Sequence, residues 1–202
     1  WRIDKSGYCI KGTWNKGDVE TITALYNDKG ELINTKPKTM SDALSAALST
    51  YKDEFIGLQG NSDYSEDYDW LYLTYESLIS FPGTSDKDLI VSDFKDYWNY
   101  VATFAQTESF DVAKAKYDQL CSQVKTSSIT LKKGTAPVKL SGDIVAAAEN
   151  DFVISQFSLP STIKGFDDAA VSVIIKKNDN DDYIVMVVCG DEYSASQWDE
   201  AD

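Results

Sequence analysis

The chain contains no histidine and only one arginine, Arg2, against 18 lysines. The first absence removes the Ser-His and Cys-His dyads of nucleophilic catalysis, the His-containing zinc sites and the H-E-x-x-H helix. The second removes the rigid guanidinium fork on which phosphate and base-edge recognition lean. With Lys+Arg 19 against Asp+Glu 33, the net charge is −14, so there is no clustered positive field either. Direct nucleic-acid binding and docking to an anionic membrane are therefore disfavoured. No apolar run reaches the length of a membrane span and no signal peptide is visible, so no membrane insertion is expected. The chain begins at Trp1, as a processed or trimmed piece would, which leaves localisation open.

Cysteine is scarce too. Cys9, Cys121 and Cys189 are far apart and odd in number, which is no disulfide framework and too few thiolates for a four-cysteine metal site. Each lies in an apolar run, as buried free thiols do, although one bridge with one thiol left over fits the count as well. The nucleotide-binding signatures G-x-x-x-x-G-K-[ST] and G-x-G-x-x-G are missing, as is the hydrolase G-x-S-x-G. No cofactor is implied.

What the chain does have is 43% hydrophobic and 12% aromatic residues, enough for a real core. Three zones follow. In residues 1–38, Tyr8 to Trp14 is β-rich, and Val19 to Tyr26 alternates ahead of Asn27-Asp28-Lys29-Gly30, a turn signal, predicting a hairpin. The run Cys9-Ile10-Lys11-Gly12-Thr13-Trp14 with this hairpin resembles the opening of avidin-type biotin-binding barrels. The segment after it reads as helical, which such a barrel lacks there, so no biotin site is carried over.

Residues 39–126 read as four helices. The first, about 39–55, carries Met40, Leu44, Ala47, Leu48, Tyr51 and Phe55 at three- and four-residue spacing. The second, about 65–80, has Ser65 as cap and ends at Pro82-Gly83. The third, about 85–105, starts at a capping-box-like Ser85 and Asp88 and runs through Ile90, Phe94, Tyr97, Val101 and Phe104. The fourth, about 111–125, turns Ala113, Tyr117, Leu120, Cys121 and Val124 inward. Short connections predict an antiparallel bundle.

Residues 127–202 read as strands: Ile129–Leu131, Val138–Leu140, 151–158, and a hairpin of 171–177 with 183–189. Its arms are so rich in Val and Ile that both faces should be covered. Residues 144–149 fit a short helix or a strand equally. The expected fold is α+β: a central antiparallel bundle of about four helices flanked by an N-terminal hairpin and a C-terminal antiparallel β region. The expected division is 1–126 and 127–202, with a single domain as the other option.

Candidate chemistry rests on acids and aromatic rings. Ser62 to Trp70 interleaves them, offering Tyr64, Asp67, Asp69 and Trp70 as a binding patch, with Tyr193 and Trp198 from the acidic end. Trp14 and Tyr100 also lie off the helical stripes and could anchor an interface. Glu66 and Asp69 would be the paired carboxylates of a glycoside hydrolase. The bland reading of the same stretch is a helix N-terminus with favourable acids. Asn178 to Asp182 concentrates oxygen ligands, so Asp179, Asp181 and Asp182 are weak calcium candidates; the EF-hand spacing is missing, and a solvated hairpin turn is the stronger reading. The expectation is a non-catalytic interaction or accessory protein whose partner is another, basic protein. The alternatives are an acidic nucleic-acid mimic, or a carbohydrate-binding module or carboxylate-dependent hydrolase.

Overall fold

The computed structural model describes residues 37–62, 74–92, 97–132, 134–149, 151–178 and 180–191. The expected N-terminal hairpin lies outside the described residues. So do Cys9, Trp14, Tyr64, Glu66, Asp67, Asp69, Trp70, Asp179, Tyr193 and Trp198.

Helix α1, Met40–Ser49, opens on a full capping box: the Thr39 hydroxyl accepts from the Asp42 N–H at 3.1 Å, and the Asp42 carboxylate accepts from the Thr39 N–H at 3.2 Å. Its apolar stripe buries Met40, Ala43, Leu44, Ala47 and Leu48. The helix stops six residues short of the periodicity. Thr50 turns its hydroxyl back onto the Ala47 carbonyl at 2.8 Å, and two short 3-10 turns, Tyr51–Asp53 and Ile56–Leu58, follow. Between them Glu54 and Phe55 both take positive φ, 54° and 56°.

Strands β1 (Gln59–Ser62), β2 (Thr74–Ser77), β3 (Leu89–Ser92) and β4 (Trp98–Thr107) come next. Helix α2, Phe110–Thr126, is capped by Ser109 and buries Ala113, Tyr117, Leu120, Cys121 and Val124, the inward set its spacing predicts. A small hairpin of β5 (Ser128–Ile129) and β6 (Val138–Lys139) leads into β7 (Val153–Ser158), β8 (Ala169–Lys177) and β9 (Tyr183–Asp191). Residues 142–148 form neither a helix nor a strand.

The four-helix bundle is thus overturned. Among the described residues there are two α-helices and a seven-stranded antiparallel sheet in the order β1-β2-β3-β4-β9-β8-β7. The segment expected as the third helix is β3 and β4. Its apolar residues happen to recur at three and four, but they also alternate: Tyr100, Ala102 and Phe104 enter the main core while Val101 faces the other way. Trp98, Tyr100, Val101, Thr103 and Phe104 are all β-favouring types, and β9 supplies a long partner strand. Tertiary pairing wins over the helical reading. The part of the expected second helix that is described, Thr74–Ser77, is likewise a strand.

Both helices pack on one face of the sheet, with Leu44, Leu48, Tyr117, Leu120 and Val124 meeting Phe157, Val171, Val173, Val185 and Val187. The opposite face carries a smaller cluster of Val101, Ile174, Met186 and Val188. The expectation that β8 and β9 are covered on both faces matches their burial, but the helices cover only one. A bulge between Thr103 and Ala105 sets Phe104 and Ala105 both against the main core, which alternation alone forbids. Strands from before and after position 126 are neighbours in this sheet, β4 beside β9. Among the described residues, no helix is long and apolar enough to cross a membrane.

Candidate functional site

At the end of β9 the sheet meets the turn that follows α1, and a cleft of about 400 Å³ opens there. Its walls are Tyr51, Lys52, Glu54, Tyr97, Trp98, Gly165 and Asp191. The early stop of α1 builds one wall. Phe55 is fully buried, and its N–H returns to the Thr50 carbonyl at 3.0 Å. That reversal holds Glu54 and Phe55 in the left-handed region, which costs non-glycine residues roughly 1–3 kcal/mol each unless their surroundings enforce it. It also turns Tyr51, Lys52 and Glu54 towards the cleft.

The Tyr51 ring stacks on Phe166 with centroids 5.8 Å apart and meets Phe55 edge-on at 6.1 Å. Its hydroxyl feels the charge of the Asp191 carboxylate, which lines the same cleft. Burial first, and then the charges of Asp191 and Asp168, push its ionisation up to about 12, so Tyr51 stays a neutral donor at any physiological pH. The Lys52 ammonium is committed: it donates to the Lys164 carbonyl at 2.7 Å and sits 4.4 Å from the centre of the Phe166 ring. Gly165 is required here, since φ is +76° and a Cβ would lie 2.5 Å from the Lys52 Nζ. Across the cleft, Trp98 packs on Tyr75 at 6.0 Å. Gly190 lets the buried Asn99 lie against β9, because a Cβ at 190 would meet Asn99 Oδ1 at 2.0 Å.

A second hollow of about 410 Å³ lies between the start of α1, Pro82 and the end of α2. Most of its hydroxyls are already spent on the backbone: Thr39 caps α1, Ser41 accepts from the Ser128 N–H, and Thr126 and Ser127 donate to carbonyls of α2. The aromatic cleft is the better candidate.

Tyr100 and Asp88 are placed differently from expectation, and Asp181 and Asp182 sit where a hairpin turn puts them. Tyr100, expected as an exposed interface anchor, is fully buried. Asp88, expected as a helix-capping acid, is 1% exposed inside the core. Asp181 and Asp182 build the β8–β9 turn: Asp181 pairs with Lys177 at 3.2 Å, and Asp182 accepts from Gln106 at 2.9 Å. The Asn178 side chain accepts from the N–H groups of Asn180 and Asp182, so the turn is held by protein contacts. No group of three or more metal-ligating side chains occurs among the described residues. Cys121 and Cys189 are buried free thiols. Burial raises both thiol pKa values, for Cys189 reinforced by Asp88, which disfavours the reactive thiolate.

Of the cleft residues, only Tyr51 and Tyr97 entered the sequence reading, both as core positions. The signal that could have found the rest is Lys52-Asp53-Glu54, a polar run inside the apolar period of α1, and the aromatic run Tyr97-Trp98-Asn99-Tyr100.

What this defines is a fold class: among the described residues, a mostly β architecture with a seven-stranded antiparallel sheet and two α-helices on one face. Compared with family models, curated proteins and solved structures, the chain matches none of them.

Proposed function

We propose that the protein is a non-catalytic interaction protein whose partner is another protein, engaged through the cleft by a lysine or arginine side chain of that partner. The observation that carries this reading is the lining of the cleft. Tyr51, Tyr97 and Trp98 supply ring faces and edges, Glu54 and Asp191 supply negative charge, and Lys52, the one cation among its described lining residues, is turned onto Lys164 and Phe166. A cation over aromatic faces beside carboxylates gains from both, and the net charge of −14 attracts basic partners from a distance. The buried, high-pKa thiols and the absence of histidine agree with a role in binding.

The test is binding to immobilised peptides that present lysine or arginine between apolar residues, with the intact chain and with Trp98→Ala and Glu54→Gln. Loss of a ring anchor should weaken binding about thirtyfold, the effect of about 2 kcal/mol. The neutral Glu54→Gln should weaken it less and flatten its salt dependence. Unchanged affinity in both variants overturns the assignment of the cleft. Hits confined to a glycan array move the function to carbohydrate binding. Salt-steep binding to a basic DNA-handling protein, unaffected by both variants, moves it to nucleic-acid mimicry.

A further inference from the structure

Asp88 closes the turn between β2 and β3. Its Oδ2 accepts from the Phe81 N–H at 2.6 Å and lies 2.7 Å from the Tyr100 hydroxyl oxygen. Its backbone carbonyl accepts from the Ser77 N–H at 2.8 Å. The Tyr100 hydroxyl oxygen is also 3.0 Å from the Ile79 carbonyl oxygen. Asp88 and Tyr100 are 1% and 0% exposed.

The protons on this chain of oxygens can be counted. Two separate, linear oxygen-to-oxygen hydrogen bonds use two hydrogens, one for each. Tyr100 brings one, the Ile79 carbonyl brings none, and a carboxylate brings none. A protonated Asp88 supplies the second, where an ionised one leaves the single phenol hydrogen shared between two acceptors. The surroundings agree. Asp88 belongs to none of the ion pairs among the described residues, and its Oδ1 has no hydrogen-bond partner there. An orphan oxygen of a neutral acid costs far less to bury than one of a charged carboxylate.

We propose that Asp88 is a proton-binding clasp: its carboxylic acid donates from Oδ2 to Tyr100, Tyr100 donates to Ile79, and release of the acid's proton to solvent loosens the 79–84 turn. With the proton gone, the single Tyr100 hydrogen is shared between Asp88 and Ile79. The turn then rests on the Phe81 N–H contact and on Thr84, whose hydroxyl donates to the Phe81 carbonyl at 3.1 Å. The clasp is independent of the ligand assigned to the cleft.

Among the described residues, the titratable groups around Asp88 do not provide a competing explanation. From β4 comes Tyr100, whose pKa is raised by burial and then by Asp88, so it keeps its proton. From β9 comes Cys189, a buried thiol that also stays protonated. Lys87, beside Asp88 in sequence, is turned outward to pair with Glu76 of β2, and Asp86 is exposed. The 79–84 turn itself contains no titratable side chain. Burial raises the Asp88 carboxyl from the ordinary 3.8 to about 6, against smaller lowering effects from Tyr100, Phe81 and Thr84.

A carboxyl bound more tightly to its proton in the folded chain stabilises the fold below its unfolded pKa, and that stability is lost as pH rises through its folded pKa. Between about pH 3 and pH 8, the folding equilibrium constant should fall about a hundredfold on account of Asp88 alone. The direct measurement is carbon-13 NMR of the aspartate carboxyls in the intact chain, with Asp88 titrating near 6. Urea unfolding across the same pH range should show the hundredfold change in the wild type and its disappearance in Asp88→Asn. An Asp88 midpoint below about 4.5 overturns the proposal, and so does an unchanged pH slope in Asp88→Asn. If Asp88→Asn does not fold, the carboxyl titration of the wild type decides alone.

Discussion

Two buried tyrosines anchor the same core in different ways. Tyr100 of β4 faces Asp88, which brings a titratable charge and an orphan oxygen. Tyr117 of α2 faces the Ser155 hydroxyl at 2.6 Å and donates to the Val145 carbonyl at 3.0 Å. Ser155 in turn accepts from the Val145 N–H at 2.8 Å. That second network pins the irregular 142–148 segment to α2 and β7 using neutral groups alone. Both phenols are held above their ordinary pKa by burial, so neither ionises at physiological pH. The difference lies in the partner. A serine gives the same bonds at every pH, whereas an aspartate makes its bonds conditional on a proton.

The largest expected effect separates the two directly. In Asp88→Asn, urea unfolding should lose about 3 kcal/mol of the stability change between about pH 3 and pH 8, from 1.36 kcal/mol per pKa unit and a rise from 3.8 to about 6. The sign is unusual for a carboxylate: this contribution favours the fold in mild acid and fades towards neutrality. Next comes Tyr100→Phe. It should cost about 2 kcal/mol at neutral pH, where it strips a hydrogen bond from a charged acid, and about 1 kcal/mol in mild acid, where the acid is neutral. Equal costs at both pH values would erase the contrast. Tyr117→Phe should cost about 1 kcal/mol, the same across that range, because it removes neutral bonds only. A pH-dependent cost there would point to a charge in the second network. The smallest effect belongs to the exposed Lys114–Asp118 pair on α2. Lys114→Ala should cost about 0.3–0.5 kcal/mol at low salt and nothing measurable at high salt.

The same contrast shows what the sequence could reveal. Tyr117 is legible: it belongs to a clean helical stripe with Ala113, Leu120, Cys121 and Val124, and the helix forms where that stripe predicts. The β8–β9 hairpin is legible for the same reason, two β-branched runs about a polar turn. Tyr100 is not. Ile90, Val101 and Phe104 fit a helical spacing and a strand alternation at once, and only the pairing of β4 with β9 decides between them. Asp88 reads as a surface cap because an acid three residues after a serine usually is one. Its burial follows from the fold of β2 and β3 around it, which no local pattern encodes. The cleft was hidden likewise, since Tyr51, Trp98 and Asp191 are far apart in the chain and meet only where α1 stops early.

The sequence by itself determined the materials. Without histidine and with one arginine, no site can use an imidazole or a cluster of guanidinium groups, and the net charge sets the sign of the field a partner meets. It also determined the start of α1, the whole of α2 and the last hairpin, whose signals are local and periodic. The tertiary structure alone decided that the middle of the chain is sheet and not bundle, because strand pairing between β4 and β9 is a long-range interaction. For the same reason it alone decided which acid is buried: desolvation depends on what packs around a carboxyl, and here that is β2, β4 and β9 together.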